Sequence, residues 1–247
     1  QTCALPILRN ITWYTYAPDG QVMFLTVQAT ETSPGNFAGP IYRVMGTPFD
    51  MINGTAAVTG VTEIGNGTLA FDSSGNATLS YTFNMGGIEA MATKQLVRFN
   101  FSDPPPTCTG TTESRAGATN YSDLWWNSTE SGWGLTVSHQ GNVIFILWYT
   151  YGAGGRDQWT SGARLELQPD GSFSGPLERP MMGTPIGDIN GMPATTFPVP
   201  PVGMARLSFS NGETGTFEYT LDGVTQSKPI QRFVVVGADQ PKVICTQ

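Results

Sequence analysis

The chain holds a single imidazole, and chemistry that needs a base near neutral pH has to start from it. His139 stands in Trp133-Gly134-Leu135-Thr136-Val137-Ser138-His139-Gln140-Gly141, where apolar and polar residues alternate with the period of two that marks a half-buried strand. The alternation puts His139 on the face of Trp133, Leu135 and Val137, near the strand end. One histidine cannot build a His-rich zinc site, and Cys3, Cys108 and Cys245 are isolated from one another. No metal and no cofactor is expected. What remains open to His139 is general-base work beside a nucleophile or a carboxylate.

Ser131, in Glu130-Ser131-Gly132-Trp133-Gly134, has the small neighbours of an exposed nucleophile. It is not in a G-x-S-x-G elbow. Residues 131 to 139 in extended form span roughly 26 Å at ~3.3 Å per residue, so Ser131 reaches His139 only if the chain folds back at Gly132 or Gly134. Ser138 is adjacent but points to the other face. For glycoside cleavage the carboxylates are Glu130, Glu166, Glu178 and Glu218; Glu166 and Glu218 alternate outward. Glu130 belongs to the motif, and Arg232, like Arg98, shares a face with apolar neighbours (Ile230 and Val234). This predicts a Glu130–Arg232 pair closing one end of the fold, with Arg98 its counterpart. The competing reading leaves both groups solvated and makes His139 a hydrogen-bonded residue beside a turn.

The elements that must position these residues are strands rich in aromatics. Trp125, Trp126, Trp133, Trp148, Tyr149, Tyr151 and Trp159 crowd into one stretch. Trp125/Trp126 and Trp148/Tyr149 are neighbours, so within a strand they point opposite ways and some rings must leave the inner face. Exposed rings stack on sugars and other flat polymer faces, and clustered exposed apolar surface marks binding sites. Trp125, Trp126, Trp133, Tyr149, Tyr151 and Trp159 are therefore the candidate ligand-binding residues. The alternative is that they fill two cores and the contact between them, as expected for Trp13 and Trp148, which recur.

That recurrence runs through the chain. Trp13-Tyr14-Thr15-Tyr16 matches Trp148-Tyr149-Thr150-Tyr151, and the turn Pro18-Asp19-Gly20 matches Ala153-Gly154-Gly155. Asn36–Pro40 (NFAGP) matches Ser172–Pro176 (SFSGP), and Met45-Gly46-Thr47-Pro48 matches Met182-Gly183-Thr184-Pro185. Leu69-Ala70-Phe71 matches Leu207-Ser208-Phe209, Tyr81-Thr82 matches Tyr219-Thr220, and Lys94–Phe99 matches Lys228–Phe233. Ordered matches with small indels indicate a tandem duplication. Alternation in Ala205–Ser210 and Phe217–Leu221, with Pro169-Asp170-Gly171, Asn211-Gly212 and Asp222-Gly223 between runs, reads as antiparallel hairpins.

The expected fold is all-β: two homologous antiparallel meander units, barrel-like or sandwich, the first lacking its opening strand. Residues 1–10 read as an atypical lead-in, 11–108 as unit 1, 109–123 as a linker that follows Pro104-Pro105-Pro106 and is rich in Thr, Ser and Gly, and 124–247 as unit 2. The irregular loops Asp50–Glu63 and Ile186–Pro201 fall at equivalent places and are candidate rims of a binding mouth. The unpaired edge of unit 1 invites capping by unit 2, by the lead-in or by another protomer. A Cys108–Cys245 bridge around unit 2 is the natural pairing, with Cys3–Cys108 competing.

Composition bounds the partners. With 12 basic against 19 acidic residues and a formal charge of −7, the chain lacks the basic footprint that nucleic acids and anionic membranes require. No run of about 18 apolar residues occurs, so no helical membrane span is expected. Cysteine usage and a low Lys content point to an extracytoplasmic place. The N-x-[ST] sequences (Asn10, Asn53, Asn66, Asn76, Asn100, Asn120, Asn127) reflect Asn/Thr-rich turns rather than glycans.

The series WWN-STE-SGWG, HQG, WYTY, SGPL and KPI-x-R resembles a tandem β-repeat of secreted and surface proteins of proteobacteria and environmental bacteria. The resemblance covers unit 2 almost fully and unit 1 from Ile11. It implies repeat architecture and secretion, and carries over no catalytic residue. The expected role is recognition of an extracellular polymer or surface glycan through the aromatic strip. The alternatives are an esterase-like or glycosidic hydrolase using His139, and a structural or oligomerising repeat.

Overall fold

The computed structural model describes residues 8–189, 201–234 and 241–246. Six strands form an open antiparallel meander: β1 (Leu8–Tyr16), β2 (Val22–Ser33), β3 (Asn36–Gly46), β4 (Val58–Phe71), β5 (Ala77–Met85) and β6 (Ile88–Leu96). A short strand, β7 (Thr107–Thr111), leads on to eight that close into a barrel. These are β8 (Asp123–Trp126), β9 (Gly134–Gln140), β10 (Val143–Tyr151), β11 (Asp157–Leu167), β12 (Phe173–Leu177), β13 (Gly203–Phe209), β14 (Thr214–Leu221) and β15 (Val224–Arg232). The last strand, β16 (Lys242–Thr246), pairs with β7, and Cys245 stands opposite Cys108 and is disulfide-bonded to it. The all-β expectation and the Cys108–Cys245 pairing both hold; Cys3 lies outside the described residues.

The matched residues occupy the same rungs of corresponding ladders. Phe37 faces Leu69, as Phe173 faces Leu207. Leu69 faces Leu79, as Leu207 faces Phe217. Leu79 faces Lys94, as Phe217 faces Lys228. Strands β1–β6 therefore correspond to β10–β15, and a one-residue slip anywhere would have turned one set inside out. What the barrel has and the sheet lacks is a counterpart of β8–β9. Among the described residues no strand pairs with the outer edge of β1 or of β6, so unit 1 is a half-barrel.

Alternation fills the two interiors. Trp125, Leu135, Ile146, Trp148, Leu207 and Phe217 point into the barrel, while Met23, Leu25, Ile41, Leu79 and Phe83 line the concave face of the sheet. The outer face of β10–β11 packs on the β1–β2 hairpin, where Trp159 meets Tyr14 and Tyr16, and Tyr149 meets Phe24.

The described parts of the two loops read as rims are instead reciprocal plugs. Residues 47–57 leave unit 1 and enter the barrel, where Phe49 packs on Trp148 and Tyr219 and the Ile52 carbonyl accepts a hydrogen bond from Lys228 Nζ at 2.8 Å. The 3-10 turn Ile186–Asp188 of unit 2 places Ile186 in the core of the half-barrel, and the Ile189 carbonyl accepts from Lys94 Nζ. Gly46 and Gly183 admit the crossing, because a Cβ at either would overlap the ring of Tyr151 or Tyr16. Apolar residues after Thr-Pro in each loop drive the exchange, each contributing about 1.5–3 kcal/mol on burial. Residues 190–200 of the second loop lie outside the described residues.

Two boundaries also shift. β1 begins at Leu8, within the stretch read as lead-in, and the linker 109–123 contains part of β7 and the fully buried Arg115.

Candidate functional site

His139 is built into the barrel wall near the end of β9. Backbone N–H of Tyr121 donates to Nδ1 at 3.2 Å, and Nε2 lies 2.9 Å from the Gly141 carbonyl. A ring nitrogen that accepts from an N–H fixes the proton on the other, so Nε2 donates to Gly141. Tyr121 stacks on the ring and Phe173 meets it edge-on. Burial lowers its pKa from 6.5 to about 4, outweighing the Gly141 hydrogen bond that acts the other way. Both ring nitrogens are engaged in hydrogen bonds within the barrel wall. This is the turn-side structural role weighed against the base.

Ser131 does not fold back. It precedes β9, and the uninterrupted strand Gly134–Gln140 separates it from His139. Its carbonyl accepts from the N–H groups of Ala57 and Val58, so the residue fastens the plug from unit 1.

Glu130 is a buried carboxylate held by three donors. Oε1 accepts from Lys228 Nζ at 2.9 Å and from the Gly54 N–H at 2.7 Å, and Oε2 accepts from Trp133 Nε1 at 3.2 Å. Burial would raise its pKa, yet the Lys228, Gly54 and Trp133 contacts together hold it below the usual glutamate value. A carboxylate kept ionised and saturated is a staple rather than an acid catalyst.

The expected Glu130–Arg232 pair is therefore replaced. Lys228, four residues earlier on β15, takes Glu130, while Arg232 donates to the Ser122, Asn120 and Gly212 carbonyls and pairs with Asp123 at 3.2 Å. Its guanidinium lies over Trp125, 5.1 Å from the ring centre. Arg115, in the supposed linker, bridges the same Asp123 at 2.6 Å and Glu213. Sequence reasoning missed Lys228, Asp123 and Arg115. The legible signal was Lys228 on the apolar face of an alternating strand. Arg98 is not the structural twin of Arg232: it is exposed beside Gly75, because β6 has ended at Leu96 and no strand opposite supplies carbonyls.

The rings expected to form an exposed platform are mostly sealed. Trp125, Trp133, Tyr151 and Trp159 are buried, the first two inside the barrel and the last two in the seam between units. Trp159 Nε1 donates to the Thr15 carbonyl, and Tyr151 OH to the Gly132 carbonyl. Tyr149 and Trp126 are half-buried; the first packs on Phe24, the second on Phe233. The outward rings of Tyr149, Tyr151 and Trp159 pack on unit 1, and that of Trp126 packs within unit 2. Glu166 and Glu218 do face solvent, beside Arg164 and Arg206.

An open trough lies elsewhere, along β6 where the half-barrel is unclosed. It encloses about 730 Å³ between Tyr81, Ala90, Ala92, Lys94, Ile186 and Ile189. Among the described residues Lys94 makes no ion pair, its ammonium being held by the Ile189 carbonyl. The same position in the barrel, Lys228, carries the buried pair with Glu130. The trough thus offers a cation, with Glu89 further along the same strand, small residues at Ala90, Ala92 and Gly187, and the edge of β6, which among the described residues is unpaired. Among the described residues no group of three or more His, Cys, Asp and Glu could hold a metal ion.

No family model, curated protein or solved structure matches the chain.

Proposed function

We propose that this chain is an extracytoplasmic, non-catalytic β-repeat module, formed by tandem duplication, that works by assembly with a partner through the unclosed side of unit 1. The observation that carries this reading is the contrast in edges. Among the described residues β1 and β6 each pair on one side, whereas β10 and β15 pair on both. Exposed edges are protected unless they are used, and this one combines an open trough with exposed Ile88 and Leu96. Of the groups that could have served catalysis, the His139 ring and the Glu130 carboxylate are engaged in structural bonds, and Ser131 is held apart from His139 by the length of β9. The disulfide joining β7 to β16 supports an oxidising compartment. Among the described residues no helix is long and apolar enough to cross a membrane, which says nothing of strand-built spans.

A panel of ester and glycoside substrates, run beside His139→Ala, tests the non-catalytic half of the reading. No turnover is expected from either protein. Turnover that vanishes in a folded His139→Ala variant would overturn it.

A second reading keeps polymer recognition but moves its surface. A groove of about 740 Å³ includes Phe71, Phe99, Phe145 and Val243 in its walls, and Phe99 is 63 % exposed. Pull-down on insoluble polysaccharide, lost in Phe99→Ala, would favour this surface.

A further inference from the structure

Resting on the assembly reading, we infer that the trough of unit 1 takes a β-hairpin from a separate polypeptide, one with tryptophan on its inward face and a glutamate in its turn. The molecule itself carries the template. In the barrel, the gap between β15 and β10 is filled by the hairpin β8–β9, with Arg232 opposite Trp125 and Trp148 opposite Leu135. Its turn sends Glu130 to Lys228, and Trp133 both bonds Glu130 and packs beside Phe217.

Three of the receiving groups have a counterpart on the open side; Arg232 does not, since Arg98 lies exposed beyond the end of β6. Lys94 stands on the rung of Lys228, and each donates to the carbonyl of the matched isoleucine in the crossing plug, Ile189 or Ile52. Trp13 packs on Tyr81 at 4.6 Å, as Trp148 packs on Tyr219 at 4.4 Å. Leu79 holds the place of Phe217, which Trp133 faces. The segment that would meet the first hairpin strand, Val97–Phe99, lies exposed beyond the end of β6, with Val97 at 78 %. Strand addition would satisfy the edge groups of β1 and β6 through the main chain, and the trough would select the side chains, which is how β-augmentation divides affinity from specificity. The lone cation makes the selected turn residue an anion. A second folded copy of this chain cannot serve, because its own β8–β9 is already paired on both sides.

The test uses the whole chain and a labelled synthetic peptide of residues 122–141, read by fluorescence anisotropy with sedimentation alongside. The expected result is saturable 1:1 binding that a scrambled peptide does not show. Lys94→Glu should weaken it at least tenfold, and a peptide carrying Glu130→Lys should restore binding to the Lys94→Glu protein. Lys94 is at the surface of the trough, so both proteins are compared only after their melting curves coincide. No binding, or binding indifferent to the charge exchange, overturns the hairpin assignment. If the peptide fails yet the chain self-associates and Lys94→Glu disperses it, the hairpin is wrong and the assembly reading stands. If neither occurs, the assembly reading fails as well.

Discussion

The last strands of the two units, β6 and β15, start from matched sequence and end in opposite environments. Lys228, Ile230 and Arg232 are all buried, whereas Leu96 is 39 % exposed against 3 % for Ile230, and Arg98 is fully at the surface. The difference lies in the neighbour rather than in the strand. β8–β9 brings Glu130, Asp123 and Trp125 to β15, and nothing among the described residues does so for β6. An ion pair inside a protein is weak evidence of stability in itself, but a cation left there without its partner is costly. The barrel can therefore internalise Lys228 only because the hairpin comes with a carboxylate, and the half-barrel keeps Lys94 where water still reaches it.

The largest effect should separate these two lysines. Glu130→Ala strands Lys228 in the barrel and is expected to cost about 3–5 kcal/mol in urea unfolding. Lys94→Met forfeits one hydrogen bond to Ile189 and should cost only about 1 kcal/mol. Equal losses would break the comparison, since they would mean that Lys94 is already paired as Lys228 is.

A smaller contrast concerns packing. Ile230→Ala opens a cavity among close-packed side chains and should destabilise by about 2–5 kcal/mol. Leu96→Ala, at an exposed position, should fall within about 1 kcal/mol. If Leu96→Ala proves the costlier, unit 1 is closed in solution by some other part of the molecule.

The mildest effect is one of pH, and it belongs to the barrel alone. Folded His139 titrates near 4, whereas an unfolded histidine titrates near ~6.5. Between those values the unfolded chain holds the extra proton, so protonation favours unfolding. The contribution is complete above ~6.5 and is lost as pH falls toward 4, reaching at most about 3 kcal/mol. Urea midpoints at stepped pH should show this slope, and His139→Gln should flatten it. A slope unchanged by the substitution would assign it to other groups, Asp157 among them, whose pKa is raised by burial beside Arg43.

Strand type, turn position and the correspondence of the units were legible because they depend on short-range pattern. Alternation in Phe217–Leu221 and the Asp170-Gly171 turn are local, and Gly171 does take a positive φ of 85°. The candidate site was less so. Whether Tyr151 and Trp159 meet solvent depends on what docks over β10–β11, and the β1–β2 hairpin lies more than a hundred residues away in sequence. The choice of Lys228 over Arg232 for Glu130 is a matter of which rung lies level with the β8–β9 turn, and no spacing in the sequence records it.

What the sequence determined by itself is the repeated meander and the inward and outward face of each strand, because these follow from side-chain type at a period of two. Tertiary structure alone decided that the segments after Thr-Pro cross between units, that most of the aromatic strip is sealed and that, among the described residues, unit 1 stays open. The physical reason is that burial and pairing are relations between distant strands. An apolar ring or a lone ammonium settles wherever the nearest partner leaves the least polar group unmet.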